Sequence, residues 1–244
     1  MRLEFNPASH RYFVTDNGET FPVPSVTTIL GVVDKPWLIP WAVNNCLSIC
    51  KGAIVPDTPY AGMYLDQVWE AAKSGYRKVR QEALDTGTQV HEFLEQYLKN
   101  PEKPVLPAEE TDVRRAVDAA IDWLGKHHVE PVCIERRIYS RKYRYSGTLD
   151  KLAYVDGELS LIDWKTAKGI YPEYVLQTAA YLVAYEEETG IKVKKRILIR
   201  LGKEDGVFEA HEYGRGDLKR DFKAFKGAQA LYQRLQEMKK GGEI

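Results

Sequence analysis

Apolar residues along this chain recur with two different periods, and the switch falls near residue 130. Val90, Phe93, Leu94, Tyr97 and Leu98 stand at i, i+3, i+4, i+7 and i+8, which predicts an amphipathic helix. Val113, Ala116, Val117, Ala120, Ile121 and Leu124 predict a second. Past them, residues 131–139, 145–155, 159–165 and 193–201 read as strands. A helix from Pro172 to about Glu188 separates the third from the fourth, with Pro172 suited to its first turn. Gly206 to Tyr213 predicts a further strand. Asp217 to Met238 predicts a long charged helix whose apolar positions are Leu218, Phe222, Phe225, Tyr232 and Leu235.

Upstream, residues 2–22 predict short strands around a turn at Asp16-Asn17-Gly18. Ser25 suits the N-cap of a short helix carrying Val26, Ile29 and Leu30, and Gly31 closes it. Pro36 to about Cys50 reads as a helix with Trp37 and Trp41 on one face, where both belong in a core. Residues 52–62 read as a Pro/Gly loop, 64–81 as a helix, and Asn100 to Pro107 as an extended surface connection. There is no internal repeat and no low-complexity segment.

The predicted fold class is α/β: a central mixed sheet with helices on both sides, preceded by a mostly helical N-terminal region. Its domains divide as residues 1–82, packed on the core, and 83–244, the core with its C-terminal helix. The core order is helix, three antiparallel strands, helix, strand, and the last connection requires a parallel return.

A chain of 244 residues can bury a sizeable core. Thirty-five basic residues balance thirty-five acidic ones, so net charge is silent about nucleic acid. Local distribution says more. Arg136, Arg137, Arg141, Lys142 and Arg144 fall in one acid-free stretch, and Lys192, Lys194, Lys195, Arg196 and Arg200 in another. Such patches can steer a polyanion. Cys46, Cys50 and Cys133 are too few for a disulfide framework or a four-cysteine zinc site, which favours a reducing compartment. No stretch approaches the ~20 apolar residues of a membrane span. The expectation is a cytoplasmic protein of a bacterial or phage-infected cell, with no membrane partner; the N-terminus does not support a mitochondrial address.

The most informative stretch joins Asp150 to Asp163. Asp156-Gly157 at its centre is a two-residue hairpin signal, because both positions need positive φ. Val155 then faces Glu158, and counting back both ways sets Asp150 opposite Asp163, with Cβ atoms ~5 Å apart. Lys165 points to the same face. That face carries Thr148, Asp150, Leu152 and Tyr154 against Leu159, Leu161, Asp163 and Lys165, apolar at the turn and charged at the far end. Opposed carboxylates repel in a plain sheet, whereas a divalent cation and a phosphate between them make the arrangement favourable. With the Trp164 carbonyl, the two acids make a hard oxygen site suited to Mg²⁺ or Mn²⁺. Lys165 would orient or deprotonate the attacking water, or stabilise developing charge. The plainer reading is a surface hairpin with a Lys–Asp salt bridge.

Gly147-Thr148-Leu149-Asp150, Leu161-Ile162-Asp163-Trp164-Lys165-Thr166 and Gln177-Thr178-Ala179-Ala180-Tyr181 resemble the successive motifs of the PD-(D/E)XK nuclease superfamily. Gly87-Thr88-Gln89-Val90-His91 is similar to the upstream Gly…His helix motif of its RecB-type exonuclease branch, and Glu135 to that branch's leading acidic position. Pro24-Ser25-Val26-Thr27 resembles the N-terminal part of mitochondrial genome maintenance exonuclease and related phage nucleases. The motifs cover roughly residues 85–200, with weaker reach to residue 10.

The resemblance implies a restriction-endonuclease-like fold and a metal-dependent DNA exonuclease. It makes Asp150, Asp163, Lys165 and Glu135 catalytic, and His91, Asp150, Asp163 and the Trp164 carbonyl metal ligands. His91 is alternatively a half-buried structural histidine, and Glu135 a surface ion-pair partner. Glu95, at i+4 from His91, is a weak candidate for orienting it. Gln177 and Tyr181 share one helix face and would support the site or hold DNA, or else are a helix-boundary residue beside a core tyrosine. Tyr139, Tyr143 and Tyr145 interleave with Arg141, Lys142 and Arg144, a pattern in which rings stack on bases while cations follow phosphates. Lys168 would contact phosphate. The partners implied are DNA single strands or duplex ends, with a helicase, recombinase or single-strand-binding protein alongside. A sub-branch that includes CRISPR-associated relatives holds an iron–sulfur cluster on one early and three late cysteines. No cysteine follows Cys133 here, so no cluster is expected. The rival activities are an endonuclease of the same fold and a non-catalytic DNA-binding module.

Overall fold

The computed structural model of the chain describes residues 1–55, 58–100, 105–109 and 111–242. They form two compact units, Met1–Val33 with Val90–Ile244, and Asp34–Gln89. The boundary expected between residues 82 and 83 instead falls inside one continuous helix, and residues 1–33 belong with the large sheet.

The first unit opens with a three-stranded antiparallel sheet of β1 (Arg2–Asn6), β2 (Arg11–Asp16) and β3 (Glu19–Val23). Asn17 and Gly18 both take positive φ, as the turn sequence requires. The Pro24-Ser25-Val26-Thr27 segment then earns a structural role. The Pro24 carbonyl accepts from the Ser146 N–H at 3.0 Å, and Ser25 Oγ accepts from the Thr28 N–H to cap α1 (Val26–Leu30). Val26 and Ile29 are fully buried, so these residues pin the N-terminal sheet to the main one.

The second unit, Asp34–Gln89, holds α2 (Leu38–Ala53) and most of α3 (Gly62–Lys99). A Cβ on Gly75 would meet Ile49 Cδ1 at 2.0 Å, so any larger residue there would have to turn the tip of the Ile49 side chain aside. No described residue of α2 is buried. Trp37 and Trp41 are therefore half-exposed instead of forming the expected core. The helices expected over 64–81 and around 90–98 are one helix, α3. The residues between them hold no proline, and the Thr86 and Thr88 hydroxyls donate back to the Glu82 and Leu84 carbonyls. The expected Asn100–Pro107 connection lies largely outside the described residues.

The main sheet follows: α4 (Asp112–Lys126), β4 (Val129–Ser140), β5 (Tyr145–Val155), β6 (Glu158–Lys165), α5 (Pro172–Thr189), β7 (Lys195–Leu201), β8 (Phe208–Gly214) and α6 (Arg215–Lys240). Strand order is β4-β5-β6-β7-β8. β4, β5 and β6 pair antiparallel, β7 returns parallel to β6, and β8 is antiparallel to β7. The return passes through α5, as a parallel connection must. Helices cover both faces. Val26, Ile29, Leu149, Leu152, Leu161, Leu182, Phe222 and Phe225 pack on one side, and Val90, Leu94, Val117, Trp123, Ile162, Trp164, Ile197 and Ile199 on the other.

Candidate active site

The β5–β6 hairpin turns where the sequence placed it. Asp156 and Gly157 have φ of +52° and +83°, and Val155 pairs with Glu158. The ladder continues as far as Lys151↔Ile162 and stops short of Asp150 and Asp163. On the other side of β5, the pairs Ile134↔Lys151 and Arg136↔Leu149 bracket Glu135 and Asp150 without joining them. Glu135, Asp150 and Asp163 thus hold one register position on three successive strands, and regular pairing lapses there. Glu135 accommodates the lapse with φ +48°, a left-handed conformation that a non-glycine residue adopts at a cost of about 1–3 kcal/mol. Such strain collects at functional sites.

Asp150 Oδ2 accepts from the Trp164 N–H at 3.1 Å, so a side chain takes up a backbone donor that the lapsed ladder leaves free. The Trp164 carbonyl meets His91 Nε2 at 3.2 Å. A carbonyl only accepts, so Nε2 carries a proton, and in that tautomer of the neutral ring Nδ1 would present a lone pair. That nitrogen stands 3.6 Å from Asp150 Oδ2. Lone pair against carboxylate is a repulsive contact unless a cation, or a proton on Nδ1, lies between them. The structural reading of His91 is thus observed, a ring bonded to a backbone carbonyl through one nitrogen, while the other nitrogen faces Asp150.

Ligand atoms of His91, Glu135 and Asp150 all lie within 4.8 Å of one another. Glu135 stays open to solvent on one side, yet partial desolvation by its surroundings, and next the Asp150 charge, push its carboxyl up to about 7. Asp163 is not a member of this tightest cluster. It is fully buried, and neither of its oxygens has an aligned hydrogen-bond donor. Lys165 Nζ approaches Oδ2 at 2.6 Å as an ion pair outside hydrogen-bond angle. Burial pushes the Asp163 carboxyl up to about 6, with the Lys165 charge pulling the other way. Burial also pulls on Lys165, but the Asp163 and Asp150 carboxylates outweigh it and hold its pKa above the ordinary lysine value. That balance favours the ammonium form, which is suited to stabilise charge.

The donor set fits a divalent cation. Repelling carboxylates, an imidazole lone pair aimed among them and a buried acid lacking an aligned donor are the chemistry such an ion would relieve. His91, Glu135 and Asp150 would hold it, with Asp163 and the Trp164 carbonyl beside them.

Gln177 and Tyr181 come together on α5, where Gln177 Nε2 donates to Tyr181 Oη at 3.0 Å. Burial, then the Asp163 and Asp150 charges, raise the Tyr181 pKa well above its ordinary value, so the phenol stays neutral. The Tyr181 ring lies against Gly147, where a Cβ would come within 2.5 Å of Cε1. This contact is the physical reason for glycine at the head of the Gly147–Asp150 motif.

Other expected residues sit elsewhere. Arg141 pairs with Asp16, Lys142 Nζ lies over the Tyr143 ring, Arg144 over Phe21, and Lys168 pairs with Glu204. Tyr143 packs edge-on against Phe222, Tyr145 is fully buried and donates to the Ala180 carbonyl, and Tyr139 is also buried. Neither Tyr139 nor Tyr145 can stack on a base, and Tyr143 is engaged by the core. The second basic stretch is neutralised locally. Lys195 pairs with Glu212, Arg200 with Glu209, and buried Arg196 with Asp221. Glu95 pairs with Lys99.

Three residues escaped sequence reasoning. Tyr12 Oη hydrogen-bonds Thr148 Oγ1 at 2.8 Å, reaching in from the small sheet. The Tyr174 ring lies 4.9 Å from Lys165 Nζ. Lys151 is buried behind Asp150 with Nζ 5.1 Å from the Trp164 ring centroid and no hydrogen-bond partner, and burial pulls it down to about 7. Of the three, only Lys151 left a sequence signal, a lysine amid the apolar positions of a central strand.

A family model described as the PD-(D/E)XK nuclease superfamily matches residues 63–244. No curated protein matches the chain significantly. Among solved structures, the chain is similar to a presumed exonuclease from Eubacterium rectale, at 15% identity and a TM-score of 0.44 over 66% of this chain and 68% of that one.

Proposed function

The chain belongs to the PD-(D/E)XK nuclease superfamily, and we propose that it is a Mg²⁺- or Mn²⁺-dependent exonuclease of the RecB-type branch, hydrolysing phosphodiester bonds from DNA ends. The observation that carries this reading is the convergence of His91, Glu135 and Asp150 beside the buried Asp163–Lys165 ion pair. It extends to a cytoplasmic role in replication, repair or phage recombination, alongside a helicase, recombinase or single-strand-binding protein.

A divalent cation bound there would acidify a water and offset charge on the phosphate. The chain's own residues do the rest. Asp150 fixes the Trp164 backbone, and the Trp164 carbonyl fixes the His91 ring, so ligand orientation is set before substrate arrives. Asp163 holds the Lys165 ammonium at the edge of the cluster, where it can meet a phosphate oxygen as negative charge develops. Tyr181, buried and bonded by Gln177, packs against the Gly147 end of the strand that carries Asp150.

The test is digestion of end-labelled linear DNA and of circular single-stranded DNA with Mg²⁺ or Mn²⁺, using wild type, Lys165→Ala and Asp163→Asn. Metal-dependent loss of linear DNA with intact circles, abolished in both variants, is expected. Full activity in either variant removes the mechanism. Cut circles support an endonuclease of the same fold instead, and DNA binding without cleavage in Mn²⁺ supports a non-catalytic module.

A further inference from the structure

On the helical face of the first unit, away from the acid cluster, α5 and α6 enclose a groove of about 510 Å³. None of His91, Glu135, Asp150, Asp163 or Lys165 lines it. Its apolar floor is Val183, Leu218 and Phe222, closed at one end by Tyr143. Its rim is cationic. Lys219, Lys223 and Lys226 recur at i, i+4 and i+7 along α6, which sets them on one side of the helix. Among the described residues none of the three pairs with a carboxylate, and Lys226 Nζ rests over the Tyr143 ring at 5.9 Å. Arg215 adds a fourth cation, and the one acid lining the groove, Glu186, is already held by Arg215 and Lys192. The groove therefore offers an apolar slot bordered by three uncompensated positive charges.

We propose that this groove docks an acidic peptide segment carrying one large apolar side chain, supplied by a partner protein. The slot takes the apolar side chain, and carboxylates on either side of it meet the lysines. A volume of this size suits one aromatic or branched side chain with its flanking backbone. Charge complementarity of this kind speeds encounter and selects the partner, while the buried anchor supplies most of the affinity. Nucleic acid uses the same cations less well. A base pressed onto Val183, Leu218 and Phe222 would leave its polar edge without partners there, at about 1–3 kcal/mol per orphaned group. Phosphates alone would leave the apolar floor uncovered.

The experiment is fluorescence anisotropy of a short labelled peptide of aspartates and glutamates around a single phenylalanine, titrated with the full chain. It is repeated with serine in place of the phenylalanine, and with the Lys219→Glu/Lys223→Glu variant, whose changes are on exposed side chains that carry no structural contact. DNA cleavage by wild type and variant is measured in parallel. The phenylalanine peptide should bind in a salt-dependent manner. Affinity should fall on the order of tenfold with the charge reversal, and comparably with serine, with DNA cleavage unchanged. Absence of saturable binding, equal binding of either peptide, equal binding by the variant, or cleavage lost together with the lysines would each overturn the proposal. The last outcome would reassign the rim to DNA. A protein that binds the peptide but cuts no DNA leaves the groove standing and removes the nuclease reading instead.

Discussion

Lys165→Met should destabilise the protein only where Asp163 is ionised, so the deficit should open with rising pH. The variant keeps an apolar side chain beside Tyr174 and deletes the cation paired with Asp163. Removing one partner of a buried pair costs about 3–5 kcal/mol when the survivor must remain charged. Asp163 has an escape, because burial has already pushed its carboxyl up to about 6 in the intact pair. Without Lys165 it rises further and the group holds its proton. The folded state then binds more protons than the unfolded chain, so stability falls as pH rises, by ~1.4 kcal/mol per unit above the wild-type value. The deficit against wild type is therefore small in mild acid, on the order of 1 kcal/mol near neutrality, and grows to a few kcal/mol in mild alkali. Protonation thus holds the cost below the ceiling for a pair that cannot escape. Urea unfolding in a chelator across that range reads it directly. The Asp163→Asn/Lys165→Met double variant should lose the slope. A deficit already complete in acid and flat with pH, or a slope that survives in the double variant, would show that Lys165 acts through packing alone.

The remaining expectations concern the residues around that pair. Gly147→Ala drives a methyl into the Tyr181 ring and should cost about 1–3 kcal/mol in thermal or urea unfolding; a change as small as that of an ordinary surface site would mean the ring has room to move. Arg196→Met strands Asp221, its 2.5 Å partner, and should cost about 3 kcal/mol, whereas Arg196→Met/Asp221→Leu should recover most of that loss, as a double-mutant cycle will show. Glu135, pushed up to about 7, must lose its proton to join an ion, so Mn²⁺ affinity by calorimetry should fall about tenfold per unit below pH ~7. Constant affinity through that range would exclude Glu135 as a ligand.

The local code of the chain settled the strands and helices of the main sheet and their order, though not the single long α3. Asp156-Gly157 fixed the hairpin register, because few residue pairs tolerate two successive left-handed conformations, and that register set Asp150 level with Asp163. That Gln177 and Tyr181 share one face was legible from helical spacing, and the structure adds the bond between them. Contacts between different elements were another matter. Sequence could not tell that Tyr12 reaches Thr148, that Tyr174 borders Lys165, or that Glu187 and Glu188 occupy the hairpin backbone near the expected DNA-binding cations. It also overstated the basic stretches, because charge counted along the chain ignores acids brought in from neighbouring strands and helices, such as Glu209, Glu212 and Asp221. Only the folded chain decided that Asp163 turns to Lys165 while Glu135 joins His91 and Asp150. Burial is the reason: the cost of placing a charge in the interior depends on everything that surrounds it, and no window of sequence contains its surroundings.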